Sequence, residues 1–150
     1  MNEDFLDLLG LLLRAGARFL VVGAHAMAVH GVPRATGDLD VWVDPDPANA
    51  DRVWRALLEF GAPAQEMGVS PKDLETPGVV VQIGQPPRRI DILTQISGVL
   101  FEEAWRTRVV HSFETLAIPF LGRAEIVRNK RASGRPKDLS DLEILEKAGG

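Results

Sequence analysis

Residues 23–43, GAHAMAVHGVPRATGDLDVWV, decide how the rest of the chain is read. Gly23 allows a tight turn, and Ala24 to His30 is helix-compatible and closed by Gly31. After a loop containing Pro33, Arg34 and Gly37, the residues Leu39, Val41 and Val43 alternate with Asp38, Asp40 and Trp42. That is the period-two pattern of a half-buried strand. Asp38 and Asp40 are two apart, so their side chains leave one face while the aliphatic residues enter the core from the other.

Upstream, EDFLDLLGLLLRA repeats Phe5, Leu8, Leu9, Leu12 and Leu13 at helical spacing behind acids in the first turn. Gly16 ends this helix, and FLVV at 19–22 reads as a buried strand. Downstream, Asp-Pro-Asp-Pro at 44–47 stops the acidic strand, and Pro47 is placed to start a helix. Asp44 and Asp46 read there as solvated loop. Val53, Trp54, Leu57, Leu58 and Phe60 form the apolar stripe of that helix, which Gly61 terminates. Residues 79–83 and 89–93 flank Gly84-Gln85-Pro86-Pro87 as two strands joined by a hairpin-like turn. A turn of helix at 71–74, a helix at 99–106, one or two strands within 107–118 and helices at 121–132 and 136–147 complete the pattern. The expectation is one α+β domain over residues 1–150: a small mixed β-sheet packed with helices, and a helical C-terminal segment over 121–147.

The chain has 150 residues, enough for one core. Its apolar fraction of 45% and charged fraction of 25% are those of an ordinary globular protein. It has no cysteine, which excludes disulfides and thiolate metal sites and suits the reducing cytoplasm. The apolar run LLGLLLRAGARFLVV is broken by Arg14, Gly16 and Arg18, too often to span a bilayer, and acids precede it where a signal peptide has bases. Residues 123–137 hold six bases against one acid, a local +5 that leaves −9 on the remainder of a chain whose net charge is −4. That segment admits a phosphate-rich partner such as RNA.

In the strand at 89–93, Arg89, Asp91 and Leu93 share one face. If this strand neighbours the acidic one, three carboxylates gather on one surface and raise one another's pKa values. A hard divalent cation relieves that repulsion, and oxygen ligands of this kind suit magnesium. Gly23 lets backbone approach a ligand, the following helix start offers N–H donors to phosphate, and Arg34 has the fork geometry to grip one. An Asp-x-Asp on a strand is by itself more often a solvated face; the ordered combination with Asp91 is what raises the metal reading. His25 and His30 lack metal-type spacing and read as packing or capping residues. Asp138 and Asp141 suit a helix N-terminus. Trp42 reads as a packed aromatic ahead of a base-stacking one.

Gly23-Ala24, His30-Gly31, Arg34, Thr36 and Asp38-Leu39-Asp40, followed by Ile90-Asp91-Ile92, together resemble the nucleotidyltransferase superfamily of DNA polymerase β type. More narrowly, the chain is similar to the small bacterial AbiEii-type toxins and minimal nucleotidyltransferases of toxin–antitoxin systems. Arg135-Pro136-Lys137-Asp138-Leu139-Ser140-Asp141-Leu142 is similar to the RPKDxxDL ending common in that group. The resemblance covers residues 17–146 and departs from the family at Gly23-Ala24, where Gly-Gly or Gly-Ser is usual.

The resemblance implies a polymerase-β-like fold and the transfer of a nucleoside monophosphate from an NTP to a hydroxyl, with release of pyrophosphate. Mg2+ or Mn2+ would be held by Asp38, Asp40 and Asp91, as two ions about 4 Å apart. Asp91 would accept the proton of the acceptor. Gly23 and Ala24 would position the β- and γ-phosphates, and Arg34 or Lys130 would neutralise developing charge. The acceptor would be a tRNA 3′ end, a protein hydroxyl or a small molecule, and a cognate toxin–antitoxin partner is implied. The alternative is a weakly active or inactive interaction protein that acts through such a partner.

Overall fold

The computed structural model describes residues 1–33 and 37–149. Phe19–Val22 forms strand β1, with all four side chains buried, and the chain turns at Gly23 with φ 69° straight into helix α2, Gly23–Val29. His30 caps that helix, and Leu39–Val43 returns as β2, antiparallel to β1. The register pairs Phe19 with Val43 and Val22 with Asp40. The Gly23 turn is thereby set beside the acidic end of β2.

Four further strands complete one mixed sheet: β3 at Val80–Ile83, β4 at Ile90–Leu93, β5 at Val109–Phe113 and β6 at Leu116–Phe120. Their order is β3-β4-β2-β1-β6-β5. The pairs β3–β4 and β5–β6 are antiparallel, while β4 runs parallel to β2 and β6 runs parallel to β1. The 84–89 loop of the first hairpin lies over the start of β2, where the Pro87 backbone meets Gly37 so closely that no Cβ fits there.

Helices α1 (Glu3–Arg14) and α3 (Pro47–Phe60) pack on each other and reach β6 and β2. Asp46 is the N-cap of α3, its carboxylate accepting the Ala48 and Asn49 N–H groups at 3.1 and 3.3 Å. Asp44 pairs with Arg18 at 3.4 Å. The two acids expected to be solvated loop are thus a helix cap and an ion-pair partner, because Pro45 and Pro47 place a helix start against Arg18, just ahead of β1. Asn49, buried in the first turn of α3, locks that junction: its amide accepts from the Arg18 N–H at 2.7 Å and donates to the Arg18 and Asp44 carbonyls at 3.0 and 2.8 Å.

The short helix α4 (Pro71–Leu74) packs on α3, and α5 (Phe101–Arg106) covers the sheet end of Trp42. The Trp42 and Phe101 rings meet edge-on with centroids 5.0 Å apart, so Trp42 is core. The chain closes with α6 (Arg123–Ser133) and α7 (Pro136–Ala148), packed together as the expected helical C-terminal segment. Among the described residues, no helix is long and apolar enough to cross a membrane.

Candidate active site

The parallel pairing of β2 with β4 puts Asp40 directly opposite Asp91. Asp38 stands one residue ahead of β2, where its Oδ1 accepts the Arg89 N–H at 3.2 Å while the Leu39 N–H donates to the Arg89 carbonyl at 2.9 Å. These two bonds zip the strand starts together and bring all three aspartates to one end of the sheet. Arg89, two residues before Asp91 and so on the same face, lays its guanidinium among them. Its Nε and Nη2 donate to Oδ1 and Oδ2 of Asp91 at 2.8 and 3.2 Å, and Nη2 lies 3.5 Å from Oδ2 of Asp38.

Three carboxylates against one guanidinium leave the cluster short of positive charge. The Asp40 carboxyl is pushed up from 3.8 to about 6, first by burial, then by the charge of Asp91 and a hydrogen bond shared with it, then by Asp38; Arg89 opposes this only in part. A carboxylate that holds its proton this far up the scale is one that a nearby cation would stabilise in its charged form. The donor set is all oxygen, which fits a hard divalent ion. Among the described residues, however, no three His, Asp or Glu side chains converge closely enough to hold an ion in this arrangement. In the same arrangement the Arg89 fork takes both oxygens of Asp91.

Gly23 closes the other side of Asp40. A Cβ built on it would lie 3.1 Å from Asp40 Cγ and 3.3 Å from Asp40 Cβ, and inside the contact distance of Oδ2. Together with the positive φ, this makes glycine necessary twice over. Ala24 follows in the first turn of α2. His25 sits behind this turn, edge-on to Phe5 at 5.7 Å and hydrogen-bonded to the backbone of Asp38. Burial lowers its pKa, and the N-terminal ammonium adds to the effect. The Nε2 of His30 lies 2.9 Å from the Leu121 carbonyl oxygen. Both imidazoles therefore brace α2.

Arg34, expected to grip phosphate, lies outside the described residues, as does Thr36. Lys130 is in α6, where its ammonium meets Asp141 at 3.0 Å and Asp138 at 3.6 Å. Burial lowers the Lys130 pKa, while Arg135, bonded to Asp138 at 2.8 Å, holds that carboxyl below its usual range. Three more bases of the segment are likewise engaged internally. Arg128 pairs with Glu103 at 2.7 Å and Arg131 with Glu146 at 3.7 Å, and Arg123 donates to the Leu145 carbonyl. The +5 of the sequence is thus not a bare basic patch in space, because α5 and α7 bring acids to it.

Arg89 is the site residue that sequence reasoning missed. Its placement two before Asp91 was visible, but its reach to Asp38 depends on the pairing of β2 with β4.

Among solved structures, the chain matches the crystal structure of a candidate nucleotidyltransferase from Thermotoga maritima. The TM-score is 0.57 at 15% sequence identity, covering 98% of this chain and 93% of that one. The two share a fold. The expected nucleotidyltransferase-type α+β architecture is therefore present across nearly the whole chain. No protein-family model and no curated protein matches the sequence.

Proposed function

We propose that this protein transfers a nucleoside monophosphate from an NTP to a hydroxyl acceptor. The observation that carries the reading is the in-register Asp40–Asp91 pair, with Asp38 beside it and Gly23 against Asp40, on a nucleotidyltransferase-type sheet. Asp38, Asp40 and Asp91 would hold Mg2+ or Mn2+, which supplies Lewis-acid stabilisation of phosphate charge and acidifies the attacking hydroxyl. Asp91, in register with Asp40, would take the proton from the acceptor hydroxyl. The acceptor oxygen then bonds to the α-phosphorus as the bond to the bridging oxygen breaks, and pyrophosphate leaves. Gly23 and Ala24 bring backbone rather than side chain to the β- and γ-phosphates, with Arg34 or Lys130 offsetting their charge.

The acceptor class is a tRNA 3′ end, a protein hydroxyl or a small molecule. The resemblance to AbiEii-type and minimal nucleotidyltransferases extends the reading to a toxin–antitoxin setting with a cognate partner in the cytoplasm. Incubation with each α-labelled NTP, magnesium and total RNA or lysate tests it. Label is expected in an acceptor with wild type and not with Asp40→Asn; equal labelling by that variant overturns the assigned role. One observation favours a second reading, an inactive interaction protein: Arg89 already satisfies Asp91 and contacts Asp38. Absence of label with every NTP, together with no stabilisation by Mg2+ or Mn2+, would favour it.

A further inference from the structure

We infer that Arg89 is a resident counter-cation of the carboxylate cluster, and that its guanidinium and a divalent ion compete for Asp91 and Asp38. The inference deepens the proposed function and rests on its metal site. Its grounds are geometric. The two-pronged contact occupies both oxygens of Asp91, and the same Nη2 reaches toward Oδ2 of Asp38. A bidentate guanidinium–carboxylate pair is a strong, directional contact, and it uses the oxygens that a hard cation needs. With the pair in place, the described side chains present no three convergent ligands, so ion binding needs the carboxylates to rearrange.

The backbone of Arg89 cannot move with its side chain. Its N–H is bonded to Asp38 and its carbonyl to the Leu39 N–H, so any release is a rotamer change. The side chain is 29% exposed, which gives the guanidinium a route to solvent. Ion entry therefore exchanges one cation for another at fixed strands. The cluster is kept partly neutral when no ion is present, and the cost is weaker ion binding.

The test measures Mn2+ binding by the loss of the free-ion electron paramagnetic resonance signal in wild type, Arg89→Gln and Arg89→Lys, with thermal melts of each in the presence of EDTA. At about pH 8, where Asp40 is ionised, Arg89→Gln is expected to bind Mn2+ about tenfold tighter than wild type, as removal of a nearby unit positive charge requires. Arg89→Lys, which keeps the charge but loses the fork, is expected to fall between them. Without metal, Arg89→Gln should melt below wild type, and its melting point should rise more on addition of Mn2+. If Arg89→Gln does not fold, the comparison of Arg89→Lys with wild type decides: unchanged affinity overturns the inference. Binding by Arg89→Gln equal to or weaker than wild type overturns the competition and leaves the metal site standing. Absence of Mn2+ binding in all three proteins overturns both the inference and the metal reading beneath it.

Discussion

Replacing Asp40 with asparagine is expected to abolish nucleotidyl transfer and at the same time stabilise the metal-free protein above neutral pH. The folded Asp40 carboxyl titrates at about 6, against 3.8 for the free side chain. Because the folded value is the higher one, the contribution of this group to stability is fully present below pH 3.8 and is lost as pH rises through about 6. Two units at 1.36 kcal/mol each put the loss at about 3 kcal/mol once the native carboxylate is charged. Asparagine keeps the shape and the capacity to hydrogen-bond with Asp91 but carries no charge to lose. Its advantage over wild type should be near zero at about pH 4 and reach roughly 3 kcal/mol at about pH 8, or a melting point about 6–12 °C higher for a chain of this length. Thermal melts of both proteins in EDTA, followed by circular dichroism across that range, read the difference directly. An Asp40→Asn protein no more stable than wild type at the alkaline end, or more stable by the same amount at every pH, would refute the reasoning.

Gly23→Ala must place a methyl against the Asp40 carboxylate at a positive φ. The backbone alone costs about 1–2 kcal/mol, and displacement of Asp40 should take transfer activity down by more than tenfold, each 1.36 kcal/mol on the barrier being a factor of ten. A variant with wild-type melting and turnover would show that the close approach of Gly23 to Asp40 is not used. Lys130→Met takes the ammonium away from Asp138, which is 1% exposed, and Asp141, which is 3% exposed. Because Arg135 still holds Asp138, the expected loss is about 3 kcal/mol, the low end for breaking a buried pair. If Lys130 instead serves phosphate, the melting point will stay within a few degrees of wild type and the KM for NTP will rise.

The aspartates were legible in the sequence because a strand announces itself locally. The alternation of Leu39, Val41 and Val43 with Asp38 and Asp40 needs only a few residues to be read, and it gave the face on which the acids stand. The same holds for α1, whose leucine spacing is its own signal, and for the glycine turn ahead of α2. The capping role of Asp46 was less visible, since a cap and a solvated loop acid differ only in where the next N–H groups point. Trp42 also sat on the polar face by parity. Phe101, far along the chain, is what makes it core.

By itself the sequence determined the elements, their order and which faces carried charge, because those follow from short-range periodicity and turn chemistry. Tertiary structure decided the rest. It set β4 beside β2, so that Asp91 meets Asp40 and Arg89 reaches two carboxylates. It also brought Glu103, Asp138, Asp141 and Glu146 to the basic segment and turned a +5 stretch into a set of ion pairs and hydrogen bonds. Apart from the local Arg135–Asp138 pair, each of these depends on residues that are separated in the chain and adjacent in space. Their interaction is set by strand order and helix packing, which no local pattern encodes.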